Sequence, residues 1–237
     1  MKVIKSEFVD FLKKTYLNGM IEKFVIEEDG SVDATVSNSL SVFGKSSFPG
    51  FGKRVGISAP DTLLKIVNAL ESSDNTINIE LQGVDMLLAT KNGKYTYRLA
   101  DADVIESVRE YEERFRGLHA GLKNKILFNM EMLSSIKKSM SILCKGDTDV
   151  ITFFANDNQL QVIASDDATK CTSATNIGNV EGTFKLDFKA KDMSELLNVI
   201  GTAGATFCIE EGKPLCIELA DKSFLYMVAN VMNTKVA

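Results

Sequence analysis

The chain has 237 residues, 45% of them hydrophobic and 25% charged, long enough for one large domain or two ordinary ones, each with its own core. No apolar run approaches a bilayer span, and the start, MKVIKSEFVDFLKK, lacks the uninterrupted apolar region of a signal peptide, so an intracellular, cytoplasmic protein with no membrane partner is expected. A net charge of −5 disfavours a simple basic coat for nucleic acid, and any contact with DNA must come from a local basic surface on an acidic body.

In chain order, KVIKSEFVDFLKK predicts a short apolar strand running directly into an amphipathic helix, with Phe8, Val9, Leu12 and Tyr16 on its apolar face. Three strands follow: EKFVIEE (22–28), SVDATVS (31–37) and an apolar stretch from Leu40, with Asp29-Gly30 as the first turn. VGISAPDTLLKIV then leads from a strand into a second helix. TINIELQ, VDMLLAT and KYTYRLA complete the half as strands divided by turns. Between 101 and 123, Val104, Val108, Tyr111, Phe115 and Leu118 recur at spacings of four and three, the period of an amphipathic helix, inside a segment that joins two halves.

The second half repeats this order. ILFNMEMLSSIKK matches the opening segment at a shift of 124, placing Phe8 on Met132, Leu12 on Ile136, and Lys13-Lys14 on Lys137-Lys138. DVITFFA, QLQVIAS and ATKCTSAT predict three strands. FKAKDMSELLNVIGTA predicts the second helix, with Leu196-Leu197 opposite Leu63-Leu64, and ATFCIEE, PLCIELA and SFLYMVA predict the last strands. Gly83 and Gly212 mark matching turns. The chain therefore reads as a duplication: a domain over 1–100, a connector over 101–123 and a second domain over 124–237, each α+β with mostly antiparallel sheet.

Enzyme chemistry finds little support. The one histidine, His119, has no neighbouring nucleophile or ligand in sequence. Gly44-Lys45-Ser46 ends like a phosphate loop, but Ser39 stands where the earlier glycine is required; Gly52-Lys53 fails likewise, at Ser47 and Arg54. Glu27-Glu28-Asp29 and Asp166-Asp167 fall at predicted hairpin tips. The four cysteines, Cys144, Cys171, Cys208 and Cys216, form no CxxC pair and read as small buried hydrophobes. No catalytic residue, metal or cofactor is expected.

Two copies of a strand-helix-strands-helix-strands unit, with the lysine-bearing helices KSEFVDFLKK and NMEMLSSIKK, resemble the DNA sliding clamps over nearly the whole chain. The two-domain forms are nearest: the proliferating-cell nuclear antigens and the clamp of tailed bacteriophages, with the divergence between halves favouring the viral type. The resemblance implies the DNA-clamp fold, with antiparallel sheets outside and two helices per domain inside, assembled as a homotrimeric ring. It implies a processivity factor that encircles duplex DNA without reading sequence and serves a DNA polymerase and a clamp loader. Lys13, Lys14, Lys65, Lys137, Lys138, Lys189 and Lys191 are then the DNA-facing cations. Tyr95, Tyr97 and Leu99 are expected to pair across the subunit boundary with Lys170, Cys171 and Thr172. Phe48, Phe51, Phe115, Leu118, Val231 and Met232 are candidate anchors for partner peptides. The alternatives are a monomeric polymerase accessory factor of the same fold, for which a basic net charge is expected, and a ligand-binding module on a duplicated α+β scaffold, for which convergent polar groups are expected.

Overall fold

A computed structural model describes residues 1–36, 39–146, 148–166, 168–200 and 204–231. The chain divides into two compact units, Met1–Val36 with Ser41–Glu112, and Ser37–Leu40 with Glu113–Ala237. In the first unit the order is β1 (Lys2–Ile4), α1 (Lys5–Tyr16), β2 (Phe24–Ile26), β3 (Ser31–Val36), β4 (Leu40–Lys45), β5 (Val55–Ile57), α2 (Pro60–Ala69), β6 (Thr76–Gln82), β7 (Asp85–Ala89) and β8 (Lys94–Arg98). Two single 3-10 turns, Ala102–Val104 and Arg109–Tyr111, precede α3 (Glu112–Gly121). The second unit continues with β9 (Asn124–Phe128), α4 (Met130–Leu143), β10 (Val150–Asn156), β11 (Gln159–Asp166), β12 (Cys171–Asn179), β13 (Phe184–Lys189), α5 (Ala190–Ile200), β14 (Ala205–Ile209), β15 (Leu215–Leu219) and β16 (Phe224–Val228).

The two units share one topology. In the first, strands lie in the orders β1-β6-β7-β8 and β5-β2-β3-β4; in the second, β9-β14-β15-β16 and β13-β10-β11-β12. Every defined pairing is antiparallel, as the short connections require. Within each unit the two helices pack on one another, α1 on α2 and α4 on α5. The buried residues on α1 are Phe8, Phe11, Leu12 and Thr15, and on α4 Leu133, Ile136 and Met140. Val9 and Tyr16, expected in the core, are only half-buried, because Phe11 and Thr15 lie nearer the centre of the buried stripe.

Burial also fixes the register of the duplication. Phe8, Phe11 and Thr15 correspond to Leu133, Ile136 and Met140 at a shift of 125, and α1 and α4 begin 125 residues apart. The expected shift of 124 sets buried Val3 against exposed Leu127, the wrong face of a strand, where one residue of slip reverses every side chain. On the second helices Pro60, Leu63 and Val67 correspond to Ala190, Met193 and Leu197, so Leu63 aligns with Met193 and not with Leu196.

Local chemistry accounts for the helix ends. Asn129 caps α4, its side-chain oxygen accepting from the Met132 amide. Pro60 opens α2 at a position where its missing N–H leaves no bond unmade. At the other end of α2 the Lys5 ammonium donates to the Asn68 and Leu70 carbonyls, a cation set against the negative end of the helix. The chain leaves α1 through Leu17 and Asn18, both left-handed, and then Gly19.

Phe48 is a core residue. It is 7% exposed and makes edge-on contacts with Phe8 and Phe11, with Phe51 tilted against its outer side. The loop that carries it closes on the β2–β3 turn, where a Cβ at Gly50 lies 2.2 Å from the Glu28 carbonyl oxygen and only glycine fits. In the second unit Phe128 stacks on Phe207 and Phe153 meets Phe188 edge-on. Cys208 and Cys216 are buried as expected and burial pushes both thiols up, to about 11 and about 12. Cys144 is only half-buried, however, and Cys171 is exposed because it opens β12 at the rim of its sheet.

Phe48→Ala is expected to destabilise the first unit by about 3–5 kcal/mol, the usual effect of emptying a buried phenylalanine site; a denaturation midpoint matching that of the parent chain contradicts the core assignment. A second expectation concerns acid. Asp74 receives hydrogen bonds from the Thr76 and Ser72 hydroxyls and from Lys2, tying β1 to β6, and these hold its carboxyl well below the usual range. A depressed carboxyl contributes stability above its unfolded value and loses it as pH falls through the folded value. The first unit should therefore melt progressively lower below a pH of about 4, and Asp74→Asn should flatten that dependence. An equal acid slope in the variant excludes Asp74 as a contributor.

Candidate nucleic-acid and partner interfaces

The lysines expected to face DNA divide into two groups. Lys13 and Lys138 occupy equivalent positions at the corrected shift of 125, both exposed. Lys14 corresponds to Ser139, is 15% exposed, and pairs with Asp10 one turn earlier at 2.8 Å. Lys65 pairs with Asp61 at 2.6 Å, again at i,i+4, and its equivalent in the second unit is Glu195. Lys137 is half-buried beside the core face of α4. Lys189 ends β13 and Lys191 sits in the first turn of α5, both exposed. Taken together α1, α2, α4 and α5 carry seven lysines and six acidic residues, so their surfaces are close to neutral on a chain of net −5. Serines fill much of the rest: on α4, Ser134 is exposed, while Ser139 shares a 2.8 Å hydrogen bond with Ser173 of β12.

The strands expected to close a subunit boundary are both sheet edges. β8 is the outer strand of β1-β6-β7-β8, and β12 the outer strand of β13-β10-β11-β12. Tyr95 projects outward and is exposed, with Lys94, Thr96 and Arg98 around it. Tyr97 points the other way, as strand alternation demands. It is buried, and its hydroxyl oxygen accepts from the Ala59 amide just before α2. Its side chain is therefore not available to another subunit. Leu99 lies past the end of β8 and its amide is bonded to the Val84 carbonyl. At the start of β12, Lys170, Cys171 and Thr172 are all exposed, Lys170 in a left-handed turn that leads into the strand.

Of the expected peptide anchors, Phe48 is withdrawn into the core and Phe51 is half-buried against it. Phe115 and Leu118 are half-buried on α3, Val231 is exposed, and Met232 lies outside the described residues. Of the five residues that carry the connector's helical period only Phe115 and Leu118 lie in α3; Val104, Val108 and Tyr111 precede it, α3 buries no residue, and Val104 is 72% exposed. Ile105 takes the buried position instead, which no spacing signalled. The segment expected as one connector is divided at Glu112, its first part belonging to the first unit and the rest to the second.

Sequence reasoning missed the polar fastening of the connector's first part. The Asp33 carboxylate, buried on β3, accepts from the Ser107 hydroxyl at 2.7 Å and from the Val108 amide at 2.8 Å. Arg109 donates to the Ser31 hydroxyl, and Arg54 pairs with both Glu27 and Asp103. The Gly56 carbonyl accepts from the Ala100 amide so closely that an added Cβ at Gly56 lies 2.6 Å from the Ala100 oxygen. An aspartate inside the alternating pattern SVDATV was the available signal, since a buried carboxylate needs donors from elsewhere. A cleft of about 480 Å³ beside Arg54, Gly56 and Asp103 has mixed charge. No cluster of metal-ligating side chains occurs among the described residues, and none of their helices is long and apolar enough to cross a membrane.

No protein-family model matches the sequence, and no curated protein does either. Solved structures do. The DNA polymerase sliding clamp of Pseudomonas aeruginosa superposes with a TM-score of 0.74 at 15% identity, over 98% of this chain and 66% of that one. The DNA polymerase III beta subunit of Thermotoga maritima gives 0.73 at 12%, over 98% and 64%. A chain of the PCNA2-PCNA3 complex of Sulfolobus tokodaii gives 0.70 at 14%, over 97% of this chain and 98% of that one. The chain thus spans just under two thirds of the bacterial clamps and nearly all of the archaeal subunit. Together with the repeated topology of its two units, this gives the chain the fold of the DNA sliding clamps, as the resemblance in sequence pattern implies.

Proposed function

We propose that this protein is a sliding clamp, a non-enzymatic processivity factor that encircles duplex DNA and tethers a replicative DNA polymerase. The observation that carries the proposal is the superposition of almost the whole chain on clamps, at two units where the bacterial chains are about half as long again. Three copies of a two-unit chain make six units, and on this reading the ring is a homotrimer, closed by pairing of β8 with β12 of the next copy. Tyr95, Thr172 and Cys171 lie at that boundary, while Tyr97 contributes backbone only.

The near-neutral helix surfaces suit such a ring. Lysine contacts with phosphate are sequence-independent and salt-sensitive, and a topologically closed ring has no need of tight ones. Lys13 and Lys138 carry the principal contact, helped by Lys137, Lys189 and Lys191; Lys14 and Lys65 are partly neutralised by their acidic neighbours. A clamp loader opens the ring, and polymerase peptides dock along the connector, with Phe115, Leu118 and Val231 as the remaining apolar anchors. A viral origin and function in the host cytoplasm belong to the same reading.

Size-exclusion chromatography with light scattering is expected to give three times the chain mass at micromolar concentration. Once loaded, the protein should stay on circular DNA and run off the ends of linear DNA. The double variant Lys13→Ala, Lys138→Ala should still form trimers but flatten the salt dependence of DNA association, by roughly 0.9 in the log–log slope for each phosphate no longer neutralised. A stable monomer, or equal retention on linear and circular DNA, rejects the ring.

A further inference from the structure

Two of the acidic residues on the helices are set against lysines with defined geometry. The Asp10 carboxylate meets the Lys14 ammonium at 2.8 Å on α1, and Asp61 accepts from Lys65 at 2.6 Å on α2. In both pairs the acid lies one turn before the base, the favoured order on a helix. Pairs at the surface add little to stability, and α1 and α2 already have buried stripes to hold them. What the acids change is the charge offered to solvent. Asp61 and Lys65 are both well exposed, so together they present none. Asp10 is the outward partner of its pair, and Lys14 is largely covered. Burial raises the Tyr16 phenol, Asp61 raises it further and Lys65 lowers it, which sets the end of α1 beside the pair on α2.

The second unit reverses one of these pairs. Aligning Pro60 with Ala190 sets Asp61 on Lys191 and Lys65 on Glu195, the same two charges in the opposite order. The reversal puts a cation in the first turn of α5, against the helix dipole, so what the two positions share is a zero sum and not a favourable helix end. Lys13 and Lys138 differ from Lys14 and Lys65. Val9 and Ser134 stand four positions before them, and neither is an acid. We propose, resting on the reading of the chain as a ring on DNA, that Asp10 and Asp61 are internal counter-ions that hold Lys14 and Lys65 back from phosphate. They limit the cations each chain presents to the duplex, so that the ring stays free to slide. A lysine that neutralises a phosphate releases a counter-ion from the DNA, and each such contact adds to affinity and to its salt dependence. A lysine already matched by a carboxylate within 3 Å gains less from the phosphate, and the carboxylate itself repels it.

Fluorescence anisotropy on a short linear duplex, whose open ends a closed ring can thread without a loader, measures the salt dependence directly. Asp61→Asn should bind several-fold tighter at low salt and steepen the log–log slope by roughly 0.9 for each lysine that gains a phosphate. Asp10→Asn should steepen it less, because Lys14 is largely covered. Ser134→Asp installs an acid four residues before Lys138 and should flatten the slope. Glu28→Gln and Glu211→Gln, in the exposed β2–β3 and β14–β15 turns, remove the same charge away from the helices and serve as controls. An Asp61→Asn slope no steeper than that of the controls, or a Ser134→Asp slope equal to that of the parent chain, overturns the proposal. If Asp61→Asn does not fold, the Asp10→Asn and Ser134→Asp slopes decide. Light scattering and retention on circular DNA test the ring separately: a ring with unaltered slopes rejects the counter-ions alone, and a stable monomer rejects both.

Discussion

The burial of two helices in each unit is the constraint from which the other features of this fold descend. A helix of ten to fourteen residues has little stability alone, and α1, α2, α4 and α5 persist because a stripe of apolar residues on each is taken out of water. That stripe is narrow. Burying it leaves the remaining helix surface bare, and in both units the bare surface carries lysine, serine and acid in near balance. The sheets are left with β8 and β12 as outer strands, whose unpaired backbone groups invite another chain. One packing requirement thus produces both surfaces on which the proposed function rests.

The order of elements was legible because period and punctuation agree along the chain. Alternation in TINIELQ and QLQVIAS, paired leucines in the second helices, and glycines at 83 and 212 each specify their element locally. The duplication was legible as well, but its register was not. Sequence similarity aligned Lys13-Lys14 with Lys137-Lys138, whereas burial aligns Phe8 with Leu133 and so Lys13 with Lys138 alone. Charged residues tolerate displacement on a surface and buried ones do not, so the core is the better ruler. The same contrast explains the interface residues. The strand is legible in KYTYRLA and runs over Lys94–Arg98, yet which of Tyr95 and Tyr97 turns inward depends on the sheet face that the rest of the unit covers.

What could not be read is the tertiary part of the site. Nothing near Phe48 in the chain says that α1 will offer it Phe8 and Phe11. Nothing near Asp33 says that Ser107 and Val108 will return to it from more than seventy positions away. The helical period of the connector is realised only over Glu112–Gly121, and period implies a buried stripe only where a surface exists to bury it; α3 buries none of its residues. Cys171 reads like its fellow cysteines in sequence and differs only because β12 lies at the rim of its sheet. These are failures of context rather than of pattern, and they fall where residues distant in sequence meet.

A clamp requires the bare helix surfaces of both units to face one shared opening. Electron cryomicroscopy of the assembled protein addresses this without reference to loading or polymerase. A closed ring of six lobes, with α1, α2, α4 and α5 of every copy lining the hole and β8 laid against β12 of its neighbour, is the expected image. Helices on the outer rim, or particles that remain single chains, contradict it.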